Sequence, residues 1–157
     1  MIRFLIVGYG NPLRSDDAVG WHIAQELSRE LSCELPRDDV QVIATQQLTP
    51  EIAEVASRTE QVLFIDAARD GAPGSVKCEP ILPASSTSRH SHELSPAAIL
   101  KLAKDLYGRY PTAQLLTIVG ESFETGETMS PSVLAAVPTA MAQVRRLVDG
   151  DEVRRSK

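Results

Sequence analysis

The pattern of the chain predicts an α/β fold, a mixed but mainly parallel five-stranded sheet between helices. Short apolar runs alternate with stretches of helical period, the arrangement that covers a parallel sheet on both faces. One connection, Gly71-Ala72-Pro73-Gly74, is too short for a parallel crossover and therefore introduces an antiparallel strand. With 157 residues, 43% of them hydrophobic, the chain can bury one core without covalent staples. It reads as a single domain over residues 1–150, followed by a charged tail, 151–157, that frays.

The elements follow in order. Ile2–Val7 is an apolar run that reads as a buried strand. A helix is expected from Asp16 or Asp17 to about Leu31, because Val19, Ile23, Leu27 and Leu31 recur every four residues and form one stripe. Val40–Ala44 is the second strand. Pro50–Ser57 is a short helix, with Thr49 as N-cap and Pro50 at the first helical position. Val62–Ile65 and Ser75–Glu79 are the third and fourth strands. Ser95-Pro96 opens a third helix that should bury Ile99, Leu102, Ala103 and Leu106. Gln114–Val119 is the last strand. Ser130-Pro131 opens the last helix, which carries Val133, Val137, Met141, Val144 and Val148, and whose Pro138 should kink it. Pro83–His92 and Glu121–Met129 are left as loops.

Composition narrows the function classes. Sixteen basic against twenty-one acidic residues give a net charge of −5. Basic residues adjoin only as pairs near the end, Arg145-Arg146 and Arg154-Arg155, so a nucleic-acid partner is not expected. Two cysteines, Cys33 and Cys78, suit a reducing cytoplasm better than a disulfide scaffold. The first apolar run is too short for a secretory signal, and nothing approaches the ~20 apolar residues of a membrane span.

In an open α/β sheet, ligands bind beyond the carboxyl ends of the strands. Three polar features fall there: Asn11, Asp16 and Asp17 after the first strand, Asp66 after the third, and His90 and His92 before the third helix. Each has a plain structural reading. Asp16 or Asp17 can be an N-cap with the other in the first turn; Asp66 can close an Asx-type turn; a lone histidine is most often a surface residue, as His22 is taken to be. Taken together, two carboxylates and an imidazole make a three-ligand site for a borderline divalent ion such as nickel or zinc, with positions left open for substrate. His90 and His92 alternate along an extended segment, so either can be the ligand. Gly8 and Gly10 let the backbone turn sharply beside that site. A dinucleotide site fits poorly, because Leu13 stands where the third glycine of a G-x-G-x-x-G pattern belongs. No G-x-S-x-G nucleophile motif occurs either.

The stretch from Ile6 to Gly20, Ile-Val-Gly-Tyr-Gly-Asn-Pro-Leu-Arg-Ser-Asp-Asp-Ala-Val-Gly, resembles the opening motif of the nickel–iron hydrogenase maturation endopeptidases. The resemblance continues through Phe64-Ile65-Asp66-Ala67, His92-Glu93-Leu94-Ser95, Glu121-Ser122-Phe123-Glu124-Thr125-Gly126 and Leu134-Ala135-Ala136-Val137-Pro138. It implies a cytoplasmic protease that removes a C-terminal extension from a hydrogenase large-subunit precursor after nickel insertion. It also implies a mixed five-stranded sheet between helices, and metal contacts from Asp17, Asp66 and His92. Gln46 occupies a place where histidine is frequent in the family. On this reading nickel is supplied by the substrate, held by cysteine thiolates, and no organic cofactor is expected. Asp17 or Asp66 would act as general base, with Asp16 a second candidate. The competing reading is a non-catalytic nickel-protein binding or chaperone module on the same scaffold. A different hydrolase, acting on small amides or nucleosides, is a third.

Overall fold

The computed structural model describes residues 2–33, 38–85 and 93–155, with 33 and 151–155 described by backbone alone. Strands are β1 (Ile2–Tyr9), β2 (Val40–Thr45), β3 (Thr59–Ala68), β4 (Val76–Ile81) and β5 (Thr112–Val119). Helices are α1 (Val19–Cys33), α2 (Glu51–Ser57), α3 (Pro96–Tyr107) and α4 (Pro131–Arg155), and a 3-10 turn, Ser15–Ala18, precedes α1. The element order is the expected one. α4 continues through Pro138 and past the boundary placed at Gly150.

The sheet runs β2-β1-β3-β5-β4. β1 pairs in parallel with β2 and β3, and β3 in parallel with β5. β4 is antiparallel to β5. The short 71–74 connection therefore does introduce an antiparallel strand, but not as a hairpin partner of β3 as its length suggests. β5 slots between them, because β3 is central and β5, apolar at Ala113, Leu116 and Ile118, is the strand that fills the interior position.

Strand alternation divides the core in two. Phe4, Ile6, Leu63 and Ile65 face α1 and α4, meeting Val19, Ile23, Leu27, Val133, Val137, Met141, Val144 and Val148. Leu5, Val7, Val62 and Phe64 face α2 and α3, meeting Ile52, Ala53, Ala56, Ile99, Leu100 and Ala103. On α3 the buried stripe is thus Ile99, Leu100 and Ala103; Leu106, expected inside, is 64% exposed. Its turn lies in a stretch, 104–110, that is exposed throughout, so helical period alone did not give its burial. Ser95 caps α3 as expected, its Oγ accepting the Ala98 N–H at 3.1 Å, and Gly108 ends the helix at φ 78°. Thr49 makes no such side-chain cap for α2; its carbonyl closes the first turn by accepting the Ile52 N–H at 3.1 Å.

Candidate active site

The strand order reverses direction at β1, whose neighbours β2 and β3 are reached by crossovers to opposite sides, and a crevice opens there beyond the carboxyl ends. It is a cleft of about 990 Å³. Tyr9, Asp17, Asp66, Arg69, Glu93 and Phe123 are among the side chains that line it. Glycine makes the crevice possible. A Cβ on Gly8 would overlap the Gly20 carbonyl of α1, and one on Gly10, at φ 152°, would overlap the Asp17 carbonyl. The chain after β1 can therefore fold directly onto the strand ends only with glycine at both places.

Asp17 lies in the 3-10 turn, partly buried, and its Oδ2 accepts the Asn11 N–H at 2.8 Å. Asn11 in turn accepts the Leu13 N–H at 2.9 Å, an Asx turn that shapes the Asn11–Arg14 corner. Asp66, near the end of β3, accepts the Ala67 N–H on Oδ1 at 2.7 Å. It keeps some exposure toward the cleft, yet burial pushes its pKa up to about 7. Hydrogen bonds from the Tyr9 phenol and Ala67 N–H counter that rise, while the negative charges of Asp17 and Glu93 add to it. Burial, followed by the Asp66 charge, likewise holds the Tyr9 phenol well above its ordinary value, so it stays protonated and donates.

Asp16 is placed quite differently from its neighbour. It is fully buried and does not cap α1: it sits inside the 3-10 turn, which has no side-chain cap. Its carboxylate points across to the β5–α4 connection instead. Oδ2 accepts from the Glu121 N–H at 2.7 Å, the Ser122 N–H at 2.9 Å and the Ser130 hydroxyl at 2.8 Å; Oδ1 accepts the Ser130 N–H at 2.6 Å. Burial raises its pKa, but the donors at Ser130, Ser122 and Glu121 outweigh it, and the net shift is downward. The preceding residue, Ser15, adopts a left-handed φ of 51°, with its N–H on the Gly126 carbonyl at 2.9 Å and its hydroxyl on the Glu124 carbonyl at 2.8 Å. The cap reading is thus corrected: Asp16 organises the start of α4.

Asp17 and Asp66 are therefore brought to one cleft, whereas Asp16 lies behind it. His90 and His92 lie outside the described residues, and among those described no three His, Cys, Asp or Glu side chains form a metal-sized group. His22 is partly buried on α1. Gln46 does line the cleft. Tyr9, Arg69 and Glu93 were not nominated from the residues. Tyr9 carried one usable signal, its place between two glycines at a strand end.

No family model matches the chain. The hydrogenase 2 maturation protease of Escherichia coli (strain K12) is 29% identical to it over 151 residues, covering 91% of this chain and 88% of that protein. Among solved structures, a hydrogenase 2 maturation peptidase from Thaumarchaeota archaeon SCGC_AB-539-E09 is 25% identical, with a TM-score of 0.68 over 94% of this chain and 98% of that one. The [NiFe] hydrogenase maturation protease HycI from Thermococcus kodakarensis KOD1 has a TM-score of 0.75 at 19% identity, over 94% and 92% of the two chains. The hydrogenase maturating endopeptidase HybD from Escherichia coli has a TM-score of 0.73 at 21% identity, over 96% and 94%. Sequence and fold agree: along nearly its whole length, this chain is similar to the hydrogenase maturation proteases and has their fold.

Proposed function

We propose that this enzyme is an endopeptidase that removes the C-terminal extension of a nickel-loaded hydrogenase large-subunit precursor. The observation that carries the reading is the pair Asp17 and Asp66, held at neighbouring strand ends in one wide cleft and close enough for the Asp17 charge to act on Asp66. Its relatives are named proteases and endopeptidases of hydrogenase maturation, which supports the protease role.

The donor set fits a divalent ion. A carboxylate stripped of water beside a second carboxylate is short of positive charge, and a cation there relieves both. Asp17 and Asp66 would hold it together with His92. Two oxygens and one imidazole bind free nickel modestly, so the ion arrives as the substrate's cargo, with cysteine thiolates as its softer donors. An empty precursor then lacks the bridging bonds and docks too weakly to be cut. When bound, the ion would supply Lewis-acid chemistry, polarising a carbonyl or lowering the pKa of a water. The chain's own part is to bind and to move a proton. Asp66 is the candidate to take a proton from the attacking water, and the Tyr9 phenol, which donates to it, fixes the orientation of its carboxylate. Asp17, tethered at one oxygen by Asn11, binds rather than shuttles.

No helix among the described residues is long and apolar enough to cross a membrane. A cytoplasmic site of action, with no nucleic-acid or membrane partner, completes the reading. The test is the intact mass of a hydrogenase large-subunit precursor, with and without nickel, after incubation with this protein. The expected result is loss of a C-terminal peptide from the loaded precursor alone. Equal cutting of the empty precursor would keep the protease and remove the nickel checkpoint. Stable binding of the loaded precursor without cutting would establish the binding-module reading instead.

A further inference from the structure

The cleft is acidic at its floor but carries two arginines, Arg14 and Arg69, in its lining. Arg69 follows β3 directly, and its guanidinium carbon lies 4.2 Å from the centre of the Phe123 ring. Neither arginine has an ion-pair partner within 4 Å among the described residues, although Asp17, Asp66 and Glu93 line the same cleft. The guanidinium is therefore not spent on neutralising the floor.

Phe123 is itself held in place. The two residues before it are fixed by their N–H groups on Asp16. Its ring rests on Gly120, where a Cβ would come within 2.6 Å of the ring's Cζ. Gly120 is anchored in turn by its N–H on the Ala68 carbonyl at 2.8 Å, one residue before Arg69. Stacking on a fixed ring orders an exposed side chain that would otherwise lose rotamer freedom on binding. An ordered guanidinium presents two parallel N–H groups, the geometry of a carboxylate.

We propose that Arg69, held by Phe123, is a specificity residue that reads a carboxylate of the peptide substrate. The carboxylate comes either from the peptide's C-terminus or from an acidic side chain. This rests on the protease reading, and the experiment separates the two.

Three probes are titrated into the protein while the Arg69 side-chain N–H signal is followed by NMR: acetyl-trialanine with a free carboxylate, acetyl-trialanine amide, and acetyl-Ala-Glu-Ala amide. The free acid or the glutamate peptide is expected to shift the signal and to bind at least tenfold more tightly than the neutral amide. Which of the two does so identifies the source. Arg69→Lys should weaken that binding about fivefold to tenfold, because charge is kept while the fork and the stacking plane are lost. Phe123→Leu should weaken it less. Equal binding of all three probes, no binding of any, or wild-type binding by Arg69→Ala would overturn the proposal. Precursor cleavage by Arg69→Ala is then measured: a raised KM with kcat preserved supports the proposal, and an unchanged KM overturns it while leaving the protease intact. Failure of the wild-type protein to cut loaded precursor would remove the protease reading, and the probe titration would still decide whether Arg69 binds carboxylates.

Discussion

Asp16 and Asp66 are both withdrawn from water, yet their carboxyl groups move in opposite directions. Asp16 is met by N–H groups of Glu121, Ser122 and Ser130 and by one hydroxyl, and its pKa falls. Asp66 is met by one backbone N–H and the Tyr9 phenol, with two carboxylates facing it, and its pKa rises to about 7. Burial opposes charge at both places; what differs is the supply of donors. Where donors suffice, the carboxylate is a fixture of the fold. Where they do not, the carboxyl group keeps its proton to higher pH.

Removing the fixture should have the largest effect. Asp16→Ala leaves three N–H groups and a hydroxyl without their acceptor, and an expected loss of about 3–5 kcal/mol follows from their desolvation. Asp16→Asn should cost about 2 kcal/mol, because its amide turns N–H against N–H at one of the two oxygens. Urea unfolding measures both. If Asp16 were the catalytic base, the Asn variant would lose cleavage per folded molecule; the hydrogen bonding predicts that it loses stability and keeps the chemistry.

Asp17→Ala breaks the comparison from the other side. It removes a carboxylate whose one hydrogen bond among the described residues is from the Asn11 N–H, so stability should fall by only about 1–2 kcal/mol. Cleavage of loaded precursor should fall by about 100-fold, the scale of a lost positioning contact. Adjacent aspartates would then separate cleanly, one carrying the fold and the other the reaction. A large stability loss with cleavage retained would merge them again.

The pH dependence sharpens the contrast. For Asp16 the folded-state pKa is depressed, so its contribution is present above the unfolded value of 3.8 and is lost as pH falls through the lower folded value. For Asp66 the folded-state pKa is raised. Between 3.8 and about 7 the unfolded chain has lost the proton that the folded chain keeps, so stability declines as pH rises across that window. Asp66→Asn should therefore stabilise the metal-free protein at pH 8 by about 2–4 kcal/mol, with the gain vanishing near pH 3.5. Unfolding curves at both pH values check it. A variant no more stable than wild type at pH 8 would mean that Asp66 is better solvated than its neighbours suggest.

How much of this was legible beforehand follows the same physics. Periodicity and proline placement gave the elements, the buried stripe of α4 and that of α1 as far as Leu27, because those signals are local; Leu31, expected in the α1 stripe, is only partly buried. That Asp17 and Asp66 share one cleft was legible because topology puts strand ends together. Asp16 was misread as a cap because its partners lie more than a hundred residues away, in the β5–α4 connection. The antiparallel partner of β4 was likewise beyond reach, since a strand that comes later in the chain takes the place beside β3. Arg69 and Phe123 meet only across that same connection.

The smallest effect supplies the yardstick for the largest. Ser95 is a cap of the local kind, its Oγ accepting the Ala98 N–H three residues ahead at the start of α3. Ser95→Ala should cost about 1 kcal/mol, the usual loss for a serine cap. The cap bond itself joins one donor to a neutral acceptor, at a helix end where water can take over the freed N–H. Asp16 faces more donors, carries a charge, and has no water to replace it. The ratio of the two losses in one urea series therefore measures what separates a cap from a tie between distant segments. A ratio near one would mean that water enters behind Asp16 when the carboxylate is removed, and that the β5–α4 connection is held chiefly by its own backbone bonds to Leu13 and Ser15.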